Sequence, residues 1–169
     1  MIDYRPLILT AKMETRAQAY FQALRDRHFP AERNIVPAHV TLFHHLPGAE
    51  LGAIVDRLKA VARGTRPLEV EVARVRSLGR GVAYDLRSPE LEALRDELAD
   101  AWHTLLIPQD QQGFRPHVTV QNKVEPREAK AVLEELSRDF RPWRFVIDGL
   151  LLWRYLDGPW EAVSETRFR

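Results

Sequence analysis

The 169-residue chain contains no cysteine. That excludes a disulfide scaffold, an iron–sulfur cluster, a cysteine zinc site and a cysteine nucleophile together. No apolar run approaches the roughly 20 residues a membrane helix needs. Met1-Ile2-Asp3-Tyr4-Arg5-Pro6 has no basic segment leading into an apolar stretch, so no signal peptide is expected. These readings predict a cytoplasmic protein with no membrane partner. Lysine is scarce, 4 residues against 21 arginines. A codon bias accounts for that, although arginine is also the better side chain for planar phosphate recognition. Net charge is only +1, so no strong field marks a nucleic-acid binder, and the one locally basic stretch is Arg63 to Arg80. With 45% hydrophobic and 29% charged residues the composition is that of an ordinary globular domain. A chain of this size buries about two-thirds of its unfolded surface, enough for one domain or one compact bilobal unit.

Periodicity then divides the chain. Ile2 to Thr10 reads as a strand ending in Leu7-Ile8-Leu9. Met13 to Phe29 has helical spacing and stops before Pro30. His39 to Phe43 is a short β-branched and aromatic strand between Pro37 and Pro47. Leu51, Ile54, Val55, Leu58 and Val61 make one face of a second helix, closed by Gly64 and Pro67. Leu68 to Val72 alternates strictly, as a half-buried strand does, and Gly79-Arg80-Gly81 turns into a strand over Val82 to Leu86. Ser88 is a helix N-cap with Pro89 at the first position, and Leu91, Leu94, Leu98 and Trp102 stripe the helix that follows. Pro108 to Gly113 is a polar loop, His117 to Val120 a strand, and Ala129 to Phe140 a fourth helix. Arg144 to Tyr155 and Glu161 to Phe168 form the last strands, turning at Asp157-Gly158.

A single constant shift, the one that carries Ile2 onto Arg80, lays the second half of this pattern over the first. It also places His39-Val40-Thr41 on His117-Val118-Thr119. The fold class that follows is α+β: a duplicated β-α-β-α-β unit, two lobes related by a pseudo-two-fold axis, with antiparallel-type sheets facing a central cleft. The whole chain, 1–169, is one bilobal domain, its repeat halves about 1–78 and 79–169.

Alternate residues of a strand share a face, so His and Thr of each tripeptide emerge together. Two facing lobes bring two imidazoles and two hydroxyls to one cleft. One neutral imidazole can take a proton from water while the other, protonated, supplies one to a departing oxygen. The hydroxyls can donate to non-bridging phosphate oxygens. This is a recipe for phosphoester chemistry.

PAHVTLFHHLPG at 37–48 and FRPHVTVQNKV at 114–124 resemble the paired H-x-T-x motifs of the 2H phosphoesterases, and within them the bacterial 2′-5′ RNA ligase-like proteins. The resemblance covers nearly the whole chain. It implies a bilobal α+β fold, a site with no metal and no cofactor, and a 2′,3′-cyclic phosphodiesterase activity that yields a 2′-phosphate. Some relatives also join or cleave 2′-5′ RNA linkages. By the same resemblance His39 and His117 are the acid/base pair, Thr41 and Thr119 hold the phosphate, and RNA ends or small cyclic-phosphate nucleotides are the partners. The flanks differ, Phe43-His44-His45 after the first motif against Gln121-Asn122 after the second, so the two halves of the site are not chemically equal.

Arg115 precedes the second motif within reach of a substrate phosphate, or stands as an exposed loop charge. Phe43, Tyr84, Trp153 and Tyr155 are candidates for stacking on a base, with Trp153 read as core and with Phe43 and Tyr155 on strands that border the cleft. In a continuous strand His44 falls on the face opposite His39, and there is no acidic residue from Asn34 to Gly48, so a metal cluster is not expected. His28 and His103 do not share the repeat offset and receive no role. A non-catalytic RNA- or nucleotide-binding module that kept the cleft is the alternative function, and ligation would use the same site in reverse.

Overall fold

The computed structural model describes all residues from 1 to 169. In chain order the elements are β1 (Leu7–Met13), α1 (Thr15–His28), β2 (Val40–Leu46), α2 (Leu51–Arg63), β3 (Leu68–Ser77), β4 (Val82–Arg87), α3 (Pro89–Ala101), α4 (Pro108–Gln111), β5 (His117–Gln121), α5 (Pro126–Ser137), β6 (Trp143–Tyr155) and β7 (Trp160–Arg167). The local rules hold where they are most specific. Ser88 Oγ accepts from Leu91 N at 3.2 Å, with Pro89 at the first position of α3. Gly81 is required by close approach: a Cβ there would sit 2.0 Å from the Gln121 carbonyl oxygen.

All strands pair antiparallel in one sheet ordered β2-β1-β6-β3-β4-β5, with β7 on β6. Exchange β1 with β4, β2 with β5 and β3 with β6, and the order reads backwards unchanged. The duplicated unit is therefore present, and its halves are interlocked. The third strand of each repeat pairs with the first strand of the other, β3 with β4 and β6 with β1, and β3 and β6 join at the centre. The two half-sheets are thus one continuous surface. β2 and β5 lie at opposite ends of the strand order yet approach within 8 Å, so the sheet curls and sets the two motif strands side by side.

The common shift belongs to the motifs and not to the elements around them. β1 begins at Leu7 and β4 at Val82, α2 at Leu51 and α5 at Pro126, β3 at Leu68 and β6 at Trp143. These three pairs share one spacing, and it is shorter than that between His39 and His117. The stretch from helix start to motif histidine is longer in the second repeat (89 to 117) than in the first (15 to 39). The stretch from histidine to the next helix is shorter in the second (117 to 126) than in the first (39 to 51). The longer connection carries α4, a short helix where the sequence predicts a polar loop.

One face of the sheet makes the core. Leu7, Leu9, Ala11 and Met13 of β1 are buried in a cluster with Val40 and Leu42 of β2, Val118 and Val120 of β5, and the apolar faces of α1, α2 and α3. Phe21 of α1 lies under Trp143 and Phe145 of β6 and Tyr84 of β4. The other face, carrying Ile8 and Thr10 of β1 and Thr41 of β2, looks into the concavity.

Both motif strands break register at the same point. Thr41 pairs with Thr10, but Phe43 pairs with Leu9; Thr119 pairs with Ala83, but Gln121 with Val82. One extra residue, Leu42 or Val120, is accommodated as a bulge, which reverses the parity of every residue after it. A bulge also frees a carbonyl, and each repeat closes the other's. Buried Arg95 of α3 donates to Leu42 O at 3.0 Å, and buried Arg25 of α1 donates to Thr119 O at 3.3 Å. Each guanidinium also lies over an aromatic ring, Arg95 over Phe43 and Arg25 over Phe29, which partly offsets the cost of burying it.

Candidate active site

His39, immediately before β2, and His117, at the start of β5, are held alike. His39 Nδ1 lies 2.7 Å from Pro37 O, and His117 Nδ1 lies 2.9 Å from Arg115 O. A carbonyl can only accept, so Nδ1 carries the proton in both rings and each Nε2 is left for the cavity. The prolines and the two-residue reach fix the rings before any ligand arrives. Both histidines, with Thr41 and Thr119, line a single cavity of about 430 Å³. The structure thus brings together all four residues of the two tripeptides.

Their surroundings differ. The His39 ring lies 4.7 Å from that of Trp160, which in turn packs on Trp153 at 5.9 Å. Trp153 is fixed from below, its indole N–H donating to Thr10 Oγ1 at 2.9 Å. Burial holds the His39 imidazole down at about 4, with the charges of Arg25, His117 and His44 pushing the same way and the Pro37 carbonyl opposing them. Its edge still reaches the cavity, so at pH 7 it is a neutral ring with a free lone pair on Nε2. His117 instead stands at a boundary: it lines the central cavity and also a second one, again of about 430 Å³, that runs beside it toward Arg115.

Of the other expected residues, Tyr155 lines the central cavity beside Pro6 and Ile8. Arg115 is exposed and lines the adjoining cavity. Phe43 is not in the cleft. The bulge at Leu42 turns it inward, where it is fully buried against Trp102 and the Arg95 guanidinium. Tyr84 is likewise core, 3% exposed. His28 Nε2 lies 3.8 Å from a Glu135 carboxylate oxygen without a hydrogen bond, and His103 Nδ1 lies 3.0 Å from the Asp100 carbonyl; neither lines the cavity.

His44, which strand alternation places on the opposite face, is found at the cleft. After the bulge at Leu42, β2 breaks register again between Phe43 and Leu46, and His44 and His45 both emerge at the cavity wall. Below them lies Asp110 of α4, its side chain fully buried. Its carboxylate accepts from His44 N at 2.9 Å, His45 N at 2.9 Å and His44 Nδ1 at 3.0 Å. Burial alone would raise the Asp110 carboxyl, but these bonds and the His44 ring outweigh it and hold it below the usual range. Arg95 donates to the Asp110 carbonyl at 2.7 Å, fixing the short helix in turn. No sequence signal points to Asp110 or Trp160, because each reaches the site through a contact between distant parts of the chain. No three His, Asp or Glu side chains are grouped to hold a metal ion.

Such a site can take a proton on one side of a bound phosphoryl group, return one on the other, and hold the equatorial oxygens with two hydroxyls. The family model for the 2′-5′ RNA ligase superfamily matches residues 13–159. A Bacillus cytotoxicus protein provisionally named a phosphoesterase is 29% identical over 150 residues, covering 85% of this chain and 84% of its own. Among solved structures, TT0787 of Thermus thermophilus superposes with a TM-score of 0.70 at 17% identity, over 97% of this chain and 98% of that one. E. coli LigT complexed with 3′-AMP gives 0.62 at 18% identity, over 98% and 99%. A complex of LigT with NADP+ gives 0.62 at 17%, over the same shares. No helix is long and apolar enough to cross a membrane.

Proposed function

The chain belongs to the 2′-5′ RNA ligase superfamily, and from that premise we propose that it is a metal-independent phosphodiesterase that opens 2′,3′-cyclic phosphates on RNA ends or nucleotides. The observation that carries this reading is the matched pair of rings, each with Nδ1 committed to a backbone carbonyl and Nε2 left for one shared cavity. The presence of 3′-AMP in a structure of LigT supports a nucleotide as ligand.

The reaction is in-line. His39, neutral at pH 7, takes the proton of the attacking water through Nε2. A bond forms from water to phosphorus as the bond from phosphorus to the ribose O3′ breaks. His117, entering protonated, gives its Nε2 proton to that oxygen, and the 2′-phosphate remains. Thr41 and Thr119 donate to the two non-bridging oxygens, whose charge grows as the fifth bond forms. The ring under Trp160 is held neutral and suits the base, which leaves the acid's part to His117. Run forwards with a ribose 5′-hydroxyl in place of water, the same steps join a 2′-5′ linkage, and run backwards from that linkage they cleave it.

The test is turnover. A 2′,3′-cyclic mononucleotide incubated with the protein in excess EDTA should give the 2′-phosphate and no 3′-phosphate. Failure to turn over any cyclic phosphate would leave a binding module instead. Loss of activity on chelation, restored by a divalent ion, would overturn the metal-free mechanism.

A further inference from the structure

The central cavity does not end at His117. The second cavity shares Thr41, His44 and His117 with it as a common wall, and Arg115 also lines it. His44 is the unusual member. Its Nδ1 is bound to a buried carboxylate that also accepts from two backbone N–H groups. The imidazole is thereby fixed in orientation, with Nε2 on the edge turned away from Asp110. Nothing in the two-histidine chemistry uses this ring. The second repeat has no counterpart, because Asn122 stands at the matching position.

The chemistry of the pocket is that of an anion site. Arg115 is its one exposed cation, Arg95 being buried and bonded to the Leu42 and Asp110 carbonyls, and its one acid, Asp110, shows it no exposed surface. A phosphate oxygen seated at the free edge of His44 would accept from Nε2–H of the imidazolium, which then bridges the phosphate and the Asp110 carboxylate. Arg115 has a planar fork of donors suited to a second pair of phosphate oxygens.

Resting on the phosphodiesterase reading, we propose that this adjoining cavity is a second phosphate subsite, in which His44, positioned by Asp110, and Arg115 hold the phosphate on the 5′ oxygen of the reacting nucleoside. That phosphate is the preceding linkage of an RNA end or a terminal 5′-phosphate; a bare nucleoside cyclic phosphate has neither. His44 and Arg115 are then specificity residues that favour chain ends.

Binding of product analogues separates this proposal from catalysis. Four probes all carry the 2′-phosphate: a mononucleoside, its 5′-phosphorylated form, a dinucleotide, and the same dinucleotide with an uncharged methylphosphonate linkage. The wild-type protein should bind the natural dinucleotide about tenfold more tightly than the methylphosphonate. His44→Gln and Arg115→Ala should each shrink that ratio severalfold, and Arg115→Lys should restore part of it. A 5′-phosphorylated mononucleoside that binds as well as the dinucleotide would assign the subsite to terminal phosphates; one that binds more weakly would assign it to the chain linkage. Equal affinity for natural and methylphosphonate dinucleotides, or a ratio unchanged in both variants, would overturn the subsite, as would failure to bind any probe. A ratio that behaves as expected in a protein that hydrolyses no cyclic phosphate would keep the subsite and discard the phosphodiesterase reading.

Discussion

The two halves of the site begin as copies and end as different instruments. At matching places each has a proline-flanked histidine, a threonine two residues on, a bulge, and a buried arginine from the other repeat on or beside the bulge. Around that shared frame everything else diverges. His39 sits under Trp160 in a packed corner, while His117 faces a second cavity. The residue turned inward by the bulge is Phe43 in one half and Gln121 in the other, and the side-chain oxygen and nitrogen of Gln121 have no partner. The longer connection before the second motif supplies α4 and Asp110, which serve the first half. Duplication thus fixes where the pair of rings stands, and divergence sets what each ring does.

The sharpest way to break the comparison is to remove one ring at a time. His39→Ala and His117→Ala should each lower kcat on a cyclic phosphate by roughly 10²–10⁴. The double variant should lose little more, because groups acting in one step are not additive. Near-normal turnover in either single variant would show that the halves do not cooperate. Thr41→Ala and Thr119→Ala should each cost roughly 10²–10³ in kcat if the hydroxyls act as oxyanion-type donors; a loss in one half only would show that the phosphate is held asymmetrically.

Stability should divide the halves in the opposite sense. Phe43→Ala removes a fully buried ring and should cost about 3–5 kcal/mol in denaturant unfolding. At the matching position, Gln121→Leu removes two unpartnered polar atoms from the interior and should be neutral or stabilising by about 1–2 kcal/mol. Equal destabilisation by the two substitutions would mean that Gln121 has a partner that its surroundings do not reveal.

How far this is legible in the sequence depends on whether a feature rests on local spacing. His39, Thr41, His117 and Thr119 are readable because a repeated tripeptide sets both parity and placement. The Ser88 cap and the alternating strands are readable for the same reason. Phe43 and His44 are misplaced by one cause: a bulge costs one residue of register, and nothing in Leu42 or Val120 announces it. The common shift fits the motifs but hides the compensating longer and shorter connections on either side of the second one. Asp110 touches His44 and Trp160 touches His39 across long separations in the chain, so only the folded protein shows them.

The central claim is that two copies of one histidine work at opposite protonation states. Its most direct test is kcat/KM for a 2′,3′-cyclic mononucleotide as a function of pH, with folding followed by circular dichroism. This quantity reports the groups of the free enzyme. His39 is depressed to about 4 by burial, so it is protonated and idle below that pH and a competent base above it. The rate should therefore rise through about pH 4 and hold toward neutrality. Trp160→Ala should move the acid limb upward, toward the ordinary imidazole value of about 6.5, by opening His39 to water. A profile flat from about pH 3.5 to about pH 9 in a folded protein, or an acid limb that Trp160→Ala leaves in place, would contradict the account.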